Sequence, residues 1–175
     1  MATTTKKTTT AKPAAKKTAV AKPVAKKSTV SSKEILSMLK EKYDEVFDDK
    51  TVYSVRSKNK YGFVDRAGKV LISPCFSALG DSFVNGAITV WGETGIGFVS
   101  DTGKVIVKPK YGVCRNFKNG YAAVSKNQKW GLVDKSGKEV VPLKYDEIVE
   151  YNASKVKVKL GGKELCINIA TGKPV

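Results

Sequence analysis

Eight lysines stand closest to doing chemistry: Lys6, Lys7, Lys12, Lys16, Lys17, Lys22, Lys26 and Lys27 fall within the first 30 residues, with no acidic residue among them. Ammonium groups spaced along a chain displace counterions from a phosphate backbone, an attraction that is salt-sensitive and blind to sequence. With most of the eight engaged on duplex DNA, log K against log salt would slope by roughly −5 to −7. No aromatic residue interleaves them, so base stacking is not offered. Residues 31–175 hold 24 basic and 16 acidic side chains, so half of the net charge of +16 sits in the first 30 residues. That distribution points to nucleic acid or another polyanion as partner. The competing readings are a solvated spacer or solubility tail and an organelle transit peptide. The absence of arginine speaks against the last.

Elsewhere the residue types argue against catalysis. There is no histidine, which removes the commonest general base, triad partner and metal ligand. Cys75, Cys114 and Cys166 are odd in number and lack CxxC spacing, so neither a disulfide framework nor a zinc site is expected. Cys75 and Cys114 read as small core residues. The segment GFVSDTGKV (97–105) imitates a phosphate-binding loop. However, five residues separate its glycines, Val105 follows Lys104 where Ser or Thr should bind magnesium, and the lysine leads into a strand. The acid pairs Asp44-Glu45 and Asp146-Glu147 and the nearby Asp48-Asp49 read as solvated residues of connecting segments. Asp65 and Asp134 read as turn acids. The expectation is no enzyme, no small-molecule cofactor and no metal. The thiol count suggests a reducing, cytoplasmic setting, nucleoid-associated if the tail binds DNA. No apolar run is long enough to span a membrane.

One side chain stands out as a contact for an unidentified protein partner. Trp91 occupies a place held elsewhere by Arg56, Ser125 and Lys159, on the strand face opposite Val90. It reads either as an exposed aromatic anchor or as cover for a glycine-rich edge near Gly92 and Gly95. Arg56 and Lys159 on the same face would extend the basic surface of the arm.

Three elements must position these groups. The arm, residues 1–30, repeats every ten residues: Lys6-Lys7-Thr8, Lys16-Lys17-Thr18 and Lys26-Lys27-Ser28, with Ala11-Lys12-Pro13 and Ala21-Lys22-Pro23. Too poor in apolar surface to offset its ordering entropy, it is expected to be disordered, with polyproline-II character and a reach of roughly 90 Å at about 3.1 Å per residue. Residues 31–51 are a connecting element. Ser31 and Glu34 have capping-box spacing, and Ile35, Leu36, Met38, Leu39 and Tyr43 predict a helix over about 32–43 that caps the first β-unit.

From residue 52 to 175 the chain repeats at 34 or 35 residues. Val55, Val90, Val124 and Val158 mark one position. Gly62, Gly97 and Gly131 mark a second, and Gly68, Gly103, Gly137 and Gly172 a third. Pro74, Pro109 and Pro142 follow, then Phe76, Tyr111 and Tyr145. Residues 121–142 read as three short strands: Tyr121–Lys126, Lys129–Asp134 and Glu139–Pro142. Asn127-Gln128 joins the first two tightly, left-handed Gly137 turns the second, and proline closes the third. Phe63, Phe98, Leu132 and Ile167 form one apolar column, and Val64, Val99 and Val133 another. The mid-strand glycines suggest close approach of a neighbouring backbone or ring.

Lys129-Trp130-Gly131-Leu132-Val133-Asp134, followed by Gly137-Lys138, Pro142 and Tyr145, resembles the WG-repeat family over roughly residues 43–175. Only this unit holds a literal Trp-Gly. Tyr61-Gly62 and Ile96-Gly97 replace it in the first two units, and Leu165-Cys166 has lost both residues in the last. The resemblance implies a β-rich repeat with binding roles and no defined activity. The arm separately resembles lysine/alanine/proline tails of linker histones and bacterial histone-like proteins, through Lys-Pro-Ala-Ala-Lys-Lys and Lys-Pro-Val-Ala-Lys-Lys.

Together these readings predict an all-β, open array of about three and a half three-stranded antiparallel meanders, preceded by a short helix and a disordered basic tail. A non-enzymatic binding protein is expected, with the arm on nucleic acid or another polyanion. The alternative is a protein-interaction or structural module whose tail is a tether.

Overall fold

Each unit grows from one tight hairpin, closed in three of the four by a left-handed pair. Asn127 and Gln128 have φ of 51° and 61°, Lys58 and Asn59 have 51° and 60°, and Gly161 and Gly162 have 58° and 78°. Two consecutive left-handed residues make the turn whose twist matches paired strands. Register then follows: Lys126 faces Lys129 and Tyr121 faces Asp134. The next turn is closed by an acid. Asp134 Oδ1 accepts from the amides of Ser136 at 2.8 Å and Lys138 at 3.0 Å, and Asp65 does the same for Ala67 and Lys69. Gly137 sits in that turn at φ 87°, a conformation glycine adopts without penalty.

The computed structural model describes residues 30–175. One helix, α1 (Ser32–Lys42), precedes four antiparallel sheets in chain order. Sheet I is β1 (Glu45–Asp48), β2 (Val52–Ser57), β3 (Lys60–Asp65) and β4 (Val70–Phe76). Sheet II is β5 (Ala78–Leu79), β6 (Ala87–Gly92), β7 (Gly95–Ser100) and β8 (Val105–Tyr111). Sheet III is β9 (Val113–Cys114), β10 (Tyr121–Lys126), β11 (Lys129–Asp134) and β12 (Glu139–Tyr145). Sheet IV has three strands: β13 (Glu147–Tyr151), β14 (Lys155–Leu160) and β15 (Lys163–Asn168).

The all-β array is therefore as expected, with one addition. The connecting segment before each hairpin contributes a further short strand, so three sheets have four strands rather than three. GFVSDTGKV lies in β7, a turn and β8, a strand hairpin with no helix after its lysine.

The sheets stack face to face, because strand neighbours alternate between two apolar seams. Ile35, Leu39 and Tyr43 meet Tyr53, Val55 and Val64 on the rear face of sheet I. Val52, Phe63 and Phe76 on its forward face meet Ile88, Val90 and Val99 of sheet II. Ala87, Phe98, Val107 and Tyr111 then meet Ala122, Val124 and Val133 of sheet III. Ala123, Leu132, Val141 and Tyr145 meet Ile148, Val156, Val158 and Ile167 of sheet IV. Among the described residues no apolar cluster joins sheet I to sheet IV, so the array is open. Fully buried side chains such as Phe63 and Leu132 each contribute about 1.5–3 kcal/mol. That burial holds seams that no single sheet could form alone.

The helix caps the first sheet. Ser31 Oγ accepts from the Glu34 amide at 3.3 Å, while the Ser31 amide at 2.7 Å and the Ser31 hydroxyl at 2.9 Å both donate to Glu34 Oε2 and hold that carboxyl below its ordinary range. At the other end the forward face of sheet IV carries Lys157 and Lys159, ion-paired to Glu150 at 3.2 Å and Glu147 at 2.8 Å. Lys157 stands where sheet III has buried Ala123. A charged outer face is how a stacked array stays soluble.

The mid-strand glycines behave as expected. A Cβ on Gly62 would lie 2.5 Å from the Ile72 carbonyl oxygen, and on Gly97 and Gly131 it would come closer still to those of Val107 and Val141. The cause is a register shift in β4, β8 and β12, which pushes their backbone toward the glycine.

That shift also corrects several columns. β12 runs on through Pro142 to Tyr145 instead of ending there. Ile72, Val107 and Val141 are opposite Phe63, Phe98 and Leu132, so Leu143, not Pro142, shares the place of Pro74 and Pro109. In sheet IV, Lys159 faces Glu164 and Val156 faces Ile167, as Ser125 faces Trp130 and Ala122 faces Val133. Glu164-Leu165 therefore stands at the Trp-Gly place, and Ile167 belongs with the valines, not with Phe63, Phe98 and Leu132. Cys75 is exposed, not a core residue. It lies beyond the shift in β4, at a place that β8 and β12 give to Lys110 and Lys144. Cys114 is half-buried, and burial pushes its thiol up to about 12.

Candidate partner-binding surface

Arg56, Trp91 and Lys159 occupy one register position in sheets I, II and IV, opposite Tyr61, Ile96 and Glu164. Ser125, opposite Trp130, holds it in sheet III. Alternation turns this position toward the following sheet. Arg56 thus lies at the seam of sheets I and II, Trp91 at that of II and III, and Lys159 on the outer face of IV. The structure gives them equivalent places without joining them into one surface. The eight arm lysines lie outside the described residues.

Local partners set the charge of this position. Arg56 Nη1 pairs with Glu45 at 2.5 Å and Nη2 donates to Asn59 Oδ1 at 2.7 Å. The Lys159 ammonium holds the exposed Glu147 carboxyl below its usual range, and Glu147 raises Lys159 in turn. Trp91 is half-buried, and its carbonyl accepts the Ser77 amide at 2.8 Å and hydroxyl at 3.1 Å. Beside it a Cβ on Gly92 would lie 2.8 Å from the Pro109 ring, so backbone and ring pack closely at this edge. Of the acid pairs, Asp44 and Asp146 are exposed but bonded, and Asp49 is half-buried. Asp44 accepts the Lys58 amide at 2.9 Å, and Asp146 accepts the Gly161 amide at 2.7 Å and Lys129 at 2.6 Å. Each steadies a hairpin tip.

Other groups that span the seams were not singled out in the sequence. Arg115 lies 4.7 Å from the Trp130 ring centroid and donates from Nη1 to the Ile148 carbonyl at 3.2 Å. Asn85 Nδ2 donates to the Phe117 carbonyl at 2.6 Å and Asn119 Nδ2 to that of Tyr151 at 3.3 Å, a latch repeated between sheets. Tyr111 donates to Glu139 Oε1 at 2.7 Å across the seam of sheets II and III, with Lys110 beside it at 3.1 Å. The only advance signal was the Asn-Gly pairs at 85–86 and 119–120, spaced like the repeat. Among the described residues no group of His, Cys, Asp or Glu is arranged to hold a metal ion. No described helix is long and apolar enough to cross a membrane.

A row of like sheets, with polar clamps at the seams of sheets II and III and of sheets III and IV, defines a β-repeat protein, and residues 61–90, 96–130 and 130–163 match the model of the "WG containing repeat". These matches cover more than half of the sequence, and the chain belongs to that family. No curated protein matches it. Among solved structures, the N-terminal domain of Nup159 matches at 10% identity with a TM-score of 0.36, over 74% of this chain and 41% of that one. The present chain thus spans less than half of that domain, and likeness at this level carries no argument about fold or function.

Proposed function

We propose that the protein is a non-enzymatic binding platform whose basic arm gathers nucleic acid or a similar polyanion without regard to sequence. The observation behind this reading is the segregation of charge: the first 30 residues carry eight lysines and no acid, while in residues 31–175 the 24 basic side chains are interspersed with 16 acidic ones and Lys110, Lys129, Lys157 and Lys159 are ion-paired. Unopposed ammonium groups attract phosphate over a distance set by salt. Lys6, Lys7, Lys12, Lys16, Lys17, Lys22, Lys26 and Lys27 supply that attraction, in the cytoplasm and at the nucleoid where the polymer is DNA. The sheet array contributes a rigid body, with Trp91, Arg56 and Lys159 as contacts for a protein partner. Gel shifts on duplex DNA across a salt series test this. Full-length protein should bind with a steep loss of affinity as salt rises, and protein lacking residues 1–30 should not. Flat, weak binding by both would leave the second reading, favoured by the clefts along the seams: a protein-interaction module whose tail is a tether.

A further inference from the structure

The repeat allows one seam to be compared with another residue by residue. At the seam of sheets III and IV, Arg115 covers Trp130 and reaches the Ile148 carbonyl. Arg115 follows Cys114, which faces Val124, and Phe47 follows Val46, which faces Val55. Trp130 faces Ser125 as Tyr61 faces Arg56. Ile148 faces Val158 as Leu79 faces Val90. The same three places at the seam of sheets I and II therefore belong to Phe47, Tyr61 and Leu79. The aromatic ring and the strand backbone are retained, and the cation is replaced by a phenylalanine left 46% exposed.

Those three residues line one cleft of about 210 Å³, together with Gly80 and two carboxylates, Asp49 and Asp81. Asp49 is half-buried and oriented by the Ser54 hydroxyl, which donates to it. Asp81 is exposed at the mouth. Arg56 lies 5.8 Å from the Tyr61 centroid but is committed to Glu45 and Asn59. At the middle seam the three places hold Gly80, Ile96 and Cys114, with no ring, so the cleft is particular to sheets I and II.

We propose that this cleft binds an arginine side chain of a protein partner, its guanidinium stacked on Tyr61 and flanked by Asp49 and Asp81. The chain's own Arg115 shows that the place accepts such a group, and the carboxylates supply complementary charge. Guanidinium fits better than ammonium because it is planar and can both stack on a ring and bond a carboxylate. The proposal rests on the sheets acting as a binding platform and not on the arm, so its failure leaves DNA binding by the arm untouched.

The test is an amide NMR titration of the full-length protein with N-acetyl-arginine amide. Saturable shifts should cluster at Phe47, Tyr61, Gly80 and Asp81. The uncharged isostere N-acetyl-citrulline amide should move none of them. Asp81→Asn, a change at an exposed side chain, should weaken binding about fivefold with the rest of the spectrum unchanged. In Arg115→Ala, which vacates the place on Trp130, the same probe should perturb Trp130 fluorescence. Shifts scattered over surface carboxylates, equal shifts with citrulline, or unaltered affinity in Asp81→Asn would overturn the proposal. A silent Trp130 in folded Arg115→Ala would remove the equivalence on which it is built.

Discussion

Substituting Gly131→Ala adds a single methyl group, and the structure says what it meets. Gly131 does not sit in the left-handed region, so alanine is free to adopt its backbone conformation. At an open site that exchange would stabilise the protein by about 0.4–1 kcal/mol through the unfolded chain. Here the new Cβ would crowd the Val141 carbonyl oxygen and lie 3.0 Å from the Pro142 carbonyl carbon and 3.1 Å from the Leu143 nitrogen. All three neighbours are backbone, with no rotamer into which to retreat, so β12 must shift. Overpacking of this kind costs about 1–3 kcal/mol. Set against the unfolded-state gain, the net loss is about 1–2 kcal/mol, a fall in Tm of roughly 3–10 °C for a domain of this size. Gly112→Ala is the matched control: its Cβ would find only the Ser125 carbonyl oxygen, at an ordinary 3.7 Å. It should be neutral or stabilising by up to about 1 kcal/mol. Urea unfolding followed by tryptophan fluorescence reads both, with the midpoint moving and the slope unchanged. A Gly131→Ala midpoint at or above wild type, or equal effects of the two alanines, would refute the argument that the glycine of the Trp-Gly pair is there to admit the shifted strand.

The seam of sheets II and III should be sensitive to acid. The Tyr111 hydroxyl, then the Lys110 ammonium, holds the Glu139 carboxyl below its ordinary value of 4.5. A carboxylate depressed in the folded state contributes stability above its unfolded pKa and loses it as pH falls through its folded pKa. The stability gap between wild type and Tyr111→Phe should therefore hold at about pH 6 and narrow as the pH falls below about 4.5; a gap unchanged down to about pH 3 would show that the bond does not couple to folding. Thiol labelling at mildly alkaline pH should modify exposed Cys75 first and leave Cys114 protected until the protein unfolds, as read by mass mapping. Equal rates for the two would contradict the burial of Cys114.

Much of the fold was legible because its turns are chemically explicit. β10 and β11 were read to the residue, since two polar residues between alternating runs leave one hairpin register. Two of the added strands were not legible because β5 and β9 have two residues each, too few to show alternation. Pro142 was assigned to the wrong column although its spacing marked it: Pro142 follows Pro109 by 33 residues, whereas the equivalent Val107 and Val141 are 34 apart. The last unit was misaligned by one because its final turn is longer. The Asn168 amide reaches the Lys173 carbonyl, whereas the Asp134 amide reaches that of Lys138. The cleft at Tyr61 depends on stacking of sheets, which places Phe47, Tyr61 and Leu79 together from three strands. No local pattern announces such a meeting. Trp91, Arg56 and Lys159 share one register position, but stacking separates them, Arg56 and Trp91 to different seams and Lys159 to the outer face of sheet IV.

The division of labour between arm and sheets is tested most directly by the salt slope of duplex DNA affinity, measured for the native chain and for one with Lys6, Lys7, Lys12, Lys16, Lys17, Lys22, Lys26 and Lys27 changed to glutamine. The native slope should lie near −5 to −7 and collapse toward zero in the variant. A steep slope that survives the eight substitutions would place the polyanion on the sheets, and a shallow native slope would mean that the arm does not gather one.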